Sequence, residues 1–139
     1  GDGQYLARGG VIADKWLEPL GDDIGPPWDF HDTAPDAAKD SSASAIMAAG
    51  LIDLARLHRD EAERARWQGE ADRLLTGLCR DYLARDPAHR GLLTKACYSM
   101  PHQIGVQSAV LFGDYFFVEA LMRAVMPGAF SIEHRLIQG

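Results

Sequence analysis

The chain has 139 residues, 47% of them hydrophobic and 24% charged, a globular composition with room for one small core and so for one domain or a piece of one. Asp and Glu number 20 against 14 Lys and Arg, and the formal charge of -6 argues against nucleic acid or an anionic membrane as the main partner. An anionic ligand would have to be met by local donors, because the overall field repels it.

No apolar run is long enough to span a membrane, and the N-terminus lacks a basic segment followed by an apolar one. Gly1 in place of an initiator Met, and the opening GDGQYLARGG, predict that the chain starts inside a longer one. Two cysteines, Cys79 in a helical stretch and Cys97 in a loop, form no CxxC and have no His at ligand spacing. They predict two free thiols in a reducing, cytoplasmic setting, although spacing alone leaves a disulfide between them open.

Residues 5–20 set Tyr5, Leu6, Val11, Ile12, Trp16, Leu17 and Leu20 on one face of a helix that Gly9 and Gly10 weaken and that should end at Pro19 to Gly21. A long loop over 22–39 follows, and Trp28 and Phe30 within it argue that it is ordered. Residues 40–57 form the clearest helix, capped by Asp40 or Ser41 and apolar almost all round until Asp53 and Arg56, hence buried on most sides. Over 61–85, Trp67, Ala71, Leu74, Leu75, Leu78 and Tyr82 make a single stripe against a charged face, as in an outer, half-exposed helix. A second loop over 86–112 leads into a further all-round apolar helix at 113–126, which Pro127 and Gly128 stop.

No segment reads as a strand. The order predicts an all-α array of helical hairpins over 1–126, with a C-terminal tail at 127–139. Both long loops precede buried helices and so lie on one side, as in a toroid with an inner ring of buried helices. A plain bundle or an α-solenoid would give the same periodicity.

The first loop carries PPWDF. The Trp28 indole face suits sugar C–H groups and the Asp29 carboxylate suits hydroxyls. The structural alternative is that Trp28 and Phe30 anchor the loop while Asp29 holds its backbone. In the second loop, KACYSMPHQIG gathers Lys95, Tyr98, Ser99, His102 and Gln103, donors that could hold a carboxylate or a sugar, although loop polarity alone produces such clusters. His102 has no neighbouring ligand, so no metal is expected. Asp40 and Asp114, at the starts of the two buried helices, are best explained as caps. No nucleophile with its base is evident, and spacing singles out no carboxylate pair for glycoside chemistry.

Taken together, PPWDF, KDSSASAIMAAGLIDLA, GLLTKACYS and GDYFFVEALMR resemble, in order and spacing, the C-terminal third of the unsaturated glucuronyl hydrolases of glycoside hydrolase family 88. The likeness extends to about Arg123, and PGAFSIEHRLIQG matches nothing comparable. It implies part of an (α/α)6 barrel. It also implies an enzyme that releases 4,5-unsaturated uronic acid from lyase-generated oligosaccharides by hydrating a vinyl ether, with no cofactor. The family's essential aspartates would precede Gly1, so the chain is expected to carry no catalytic residue and to be inactive alone. The contacts that the resemblance assigns are Trp28 and Asp29 in the first loop, with Tyr98, Ser99 and His102 facing the distal sugar. Members that take sulfated fragments tend to show S-x-x-S-x-K in the second loop; here the second Ser and the Lys are missing, which predicts weak preference for sulfated substrates. Half a barrel would expose its inner helices and self-associate. The alternative is a non-catalytic helical binding protein that has kept these hairpins.

Overall fold

The computed structural model describes residues 2–126; the expected tail at 127–139, with its helix-stopping Pro127 and Gly128, lies outside the described residues. Helix α1 (Asp2–Leu20) ends as its sequence predicts. Gly21 adopts φ 56° and its N–H donates to the Leu17 carbonyl at 3.0 Å, a left-handed stop that favours glycine. Gly9 and Gly10 mark where α1 passes closest to its neighbours: a Cβ at Gly9 would stand 3.1 Å from Leu54 and one at Gly10 3.5 Å from Trp67. Only part of the expected apolar face is covered. Ala13 and Leu20 are buried, whereas Tyr5 is 76% and Ile12 64% exposed.

Helix α2 (Ser41–Leu57) is the hub, packing on α1, on α3 (Glu61–Gly77) and on α4 (Leu111–Val125). Ala45, Ala48, Leu51 and Ile52 are almost fully buried, and the small residues let neighbouring helices approach. Asp40 caps α2 by accepting from the Ser42 N–H, and Asp60 caps α3 by accepting from the Glu63 N–H at 3.0 Å. The stripe read along α3 is buried throughout, from Trp67 to Tyr82. The α-helix itself stops at Gly77 and does not reach 85. A π turn, Leu78–Tyr82, follows, and Leu83 is already extended. Gly77 lies so close to Ile24 that a Cβ would overlap its side chain.

The second loop is not strandless. Strand β1 (Ala96–Ser99) pairs antiparallel with β2 (Ile104–Ser108), Cys97 opposite Val106 and Ser99 opposite Ile104, with a bulge between Ala96 and Cys97. The tight turn and bulge are built on left-handed backbone at Lys95, Gln103 and Gln107, which is uncommon for non-glycine residues and hides the hairpin from propensity rules.

Helix α4 begins at Leu111, two residues earlier than expected. Its Gly113 sits against Ser42 near the start of α2, and its Arg123 reaches the Ala49 carbonyl and the Asp53 carboxylate further along α2. The two inner helices therefore run side by side in the same direction, as in the inner ring of a toroid. Arg123 also pairs with Glu119 at 3.0 Å, and its side chain is 11% exposed. The far side of α4 is uncovered: Leu111 is 87%, Tyr115 59% and Val125 73% exposed. Neither cysteine is paired, and no helix among the described residues is long and apolar enough to cross a membrane.

Candidate functional site

Three serines at the start of α2 are buried, an expensive choice unless each hydroxyl has a partner. Each does. Ser44 Oγ donates to the Ile24 carbonyl of the first loop at 2.5 Å, and Ser41 Oγ to the Thr94 carbonyl ahead of the hairpin at 2.7 Å. Ser42 Oγ donates to Asp40 Oδ1 at 2.5 Å, and the same carboxylate oxygen accepts from the Cys97 N–H of β1 at 3.3 Å. The backbone adds the Asp40 N–H to the Pro26 carbonyl and the Ser41 N–H to the Lys95 carbonyl. Asp40 is thus a cap, as expected, and also a clamp on the hairpin. Both long loops are hung from one helical turn, so they share one end of the array.

The first loop is held from inside. Phe30 packs edge-on against Trp16, with centroids 6.1 Å apart, and the Trp28 N–H donates to the Ala38 carbonyl at 2.7 Å. Phe30 is therefore an anchor, whereas the Trp28 side chain remains 38% exposed. Asp29 accepts from the His31 backbone N–H at 2.8 Å and lies 3.1 Å from its Nδ1. These bonds from His31 hold the exposed carboxyl below its usual range, so Asp29 is an anion that keeps lone pairs free for a ligand. Asp23 braces the loop's entry through Lys39, with Nζ to Oδ2 at 2.6 Å, and through the Ile24 N–H at 2.7 Å. Burial works against the charge of Asp23, but the Lys39 contact and the backbone donors outweigh it and lower its pKa.

On the hairpin, Ser99 Oγ and His102 Nδ1 are 2.9 Å apart across the turn. Tyr98 is 61% exposed, with its ring 6.3 Å from that of Phe112. The structure therefore gathers Tyr98, Ser99 and His102 on one tip, and Trp28 with Asp29 on the other loop. Among the described residues no hydrogen bond joins the two groups directly; their common base is the first turn of α2. Burial, with Asp40 nearby, pushes the Cys97 thiol up, so it is no nucleophile. No group of three His, Cys, Asp or Glu among the described residues could hold a metal ion.

Asp114 is not the cap it was expected to be. Val110 occupies that position without a side-chain bond, and the Asp114 carboxylate instead accepts from the backbone N–H groups of Leu92 and Leu93, each at 2.9 Å. It ties the run before the hairpin to α4. Sequence reasoning also passed over Ser41, Ser44 and Tyr82. The available signal was three serines in an otherwise apolar, buried helix.

No family model matches the chain. It is 32% identical over 126 residues to an unsaturated glucuronyl hydrolase of Bacillus sp. (strain GL1), a match covering 88% of this chain and 33% of that protein. It is 30% identical over 100 residues to an unsaturated chondroitin disaccharide hydrolase of Streptococcus pyogenes serotype M1, covering 69% and 25%. The crystal structure of the Bacillus sp. GL1 enzyme superposes with a TM-score of 0.74 at 32% identity, over 83% of this chain and 31% of that one. An unsaturated glucuronyl hydrolase specific for heparin superposes with a TM-score of 0.76 at 26% identity, over 86% and 33%. The chain spans about a third of the length of the curated relatives it matches.

Proposed function

We propose that this chain, a homologue of the unsaturated glucuronyl hydrolases with the helical-hairpin fold of their solved structures, is the C-terminal part of such an enzyme. It contributes substrate contacts to a reaction whose proton donor lies outside it. The substrate class is an oligosaccharide ending in a 4,5-unsaturated uronic acid. An aspartate elsewhere protonates C4 of the vinyl ether, water adds at C5, and the hemiketal opens to part the sugars. Trp28 offers its exposed face to sugar C–H groups and Asp29 accepts from hydroxyls, while Tyr98, Ser99 and His102 meet the distal sugar. With no Lys at the hairpin position where a sulfate would be met, sulfated disaccharides should be poor substrates of the whole enzyme.

The observation that carries this proposal is the suspension of both loops from one turn of α2, which gives two sets of sugar-compatible side chains one common base. Titrating the chain with an unsaturated unsulfated disaccharide, followed by amide shifts, should perturb residues 28–29 and 98–102 with no loss of the double bond's ultraviolet absorbance. An unperturbed spectrum would remove the contact role. Turnover by the chain alone would remove the claim that the proton donor lies elsewhere.

The uncovered apolar side of α4 favours a second property, self-association of the isolated chain. Sedimentation should show dimers or larger species; a sharp monomer peak with a cooperative melt would refute it. The same surface is what a non-catalytic interaction protein of this fold would use. Dimers together with a null disaccharide titration would select that alternative.

A further inference from the structure

Tyr82 ends the π turn and is 7% exposed. Its phenol lies against Gly25 of the first loop so closely that a Cβ there would stand 2.2 Å from Oη. Its backbone carbonyl accepts from both the N–H of Thr94, at 2.8 Å, and Thr94 Oγ1, at 3.0 Å, in the run that opens the hairpin. Lys95, the next residue, holds a left-handed backbone at φ 57° and carries its Nζ 5.6 Å from the centroid of the Tyr82 ring. Had the α-helix continued, that carbonyl would have bonded to an amide one turn further along its own helix. The π turn and the extended Leu83 release it to the second loop, while the ring remains pinned to the first. Burial, with Asp23 and Asp81 nearby, pushes the phenol's pKa up, so the group stays neutral at working pH.

We infer that Tyr82 is a positioning residue that sets loop 22–39 and the hairpin over 96–108 in one mutual arrangement, so that a disturbance of either loop is transmitted to the other. Its meaning for sugar binding rests on the function proposed above; the coupling itself does not. The serines of α2 give a parallel connection, so the claim concerns the share that passes through Tyr82.

The test uses the 139-residue chain and amide hydrogen exchange, read at the Trp28 N–H for the first loop and at the Cys97 N–H for the hairpin. Removing a hydrogen bond of ordinary strength changes a local opening equilibrium by roughly 2- to 10-fold. Thr94→Val should lower protection at Trp28 by that factor, and Gly25→Ala should lower it at Cys97. The double variant should depart from the product of the two single effects by about 3-fold or more, and the departure should disappear in a Tyr82→Phe background. A purely structural role would lower protection without that background dependence. Effects confined to the mutated loop, or an unchanged departure with Phe at 82, would overturn the inference.

If Gly25→Ala does not fold, Tyr82→Phe alone decides, since it keeps the ring and removes only the hydroxyl. Loss of protection at both reporters supports the coupling, and loss at Trp28 alone overturns it. Titration with the unsaturated disaccharide separates the two levels. Absence of shifts in the unmodified chain sinks the sugar-contact role and leaves the exchange results to judge Tyr82.

Discussion

Asp114→Ala removes one carboxylate that serves two backbone amides. The N–H groups of Leu92 and Leu93 each donate to it at 2.9 Å, one to each oxygen. The two bonds differ in worth because Leu93 is 1% and Leu92 42% exposed. The amide at 92 can turn to water once its partner is gone. The amide at 93 sits at the edge of the core and loses a charge-assisted bond without a ready substitute. Such a bond contributes roughly 1.5–3 kcal/mol, and the exposed one contributes little more than a fraction of that. Asp114→Ala should therefore destabilise the chain by about 2–4 kcal/mol. Asp114→Asn, which keeps one carbonyl acceptor but presents an amide donor to the other N–H, should cost about 1–2 kcal/mol. Urea unfolding reads the difference as a shift in midpoint at constant slope, and exchange at 92 and 93 locates it. A midpoint for Asp114→Ala within about 0.5 kcal/mol of the parent would refute the clamp, as would an Asn variant as damaging as the Ala one.

Arg123→Met should cost about 2–4 kcal/mol in the same assay, because Asp53 and Glu119 lose the cation between them in a half-dry interface; Arg123→Lys should recover only part, since one ammonium cannot span both carboxylates and the Ala49 carbonyl. Ser44→Ala should lose about 1–2 kcal/mol and raise exchange in loop 22–39 before it affects α3, because its hydroxyl is the buried partner of the Ile24 carbonyl. Asp23 sets an acid limit. Its folded pKa lies below the ordinary 3.8, so the unfolded chain binds the extra proton, and the stabilisation present above that value is lost as pH falls through the folded pKa. Lys39→Met should shrink that acid-side loss, and thermal melts between about pH 2 and pH 6 would show it; identical profiles for the two proteins would exclude the pair as its source.

Much of the helical frame was readable because its signals are local. The stripe from Trp67 to Tyr82, the caps at Asp40 and Asp60, and the glycine stop after Leu20 each need only a few residues and one periodicity. The all-round apolar character of 41–57 also reported its burial correctly. What escaped depends on partners distant in sequence. Asp114 stands at a helix start and would cap it in isolation, but two amides some 20 residues away compete for its oxygens and win. The hairpin carries Lys95, Gln103 and Gln107 in a backbone region where glycine is expected, so composition pointed away from a turn there. In the candidate site, the residue types at 28–29 and 98–102 were visible as sugar-compatible. Their shared support was not, because it runs through serines whose hydroxyls bond to carbonyls 20 and 53 residues away.

The π turn at Leu78–Tyr82 also bears on which changes of length this fold tolerates. A π turn closes i→i+5 bonds and so holds one residue more than the α-helical turn it replaces. Deleting one residue between 78 and 82 would let the helix re-form as regular α and would rotate everything beyond it by roughly 100°. The ring that faces Gly25 and the carbonyl that faces Thr94 would then point elsewhere, although no apolar contact upstream had changed. Loop 86–95, by contrast, can absorb an added residue at its exposed bend near Asp86 without turning any helix. A segment of five residues that looks like the frayed end of a helix is thus the part of the chain least free to change in length.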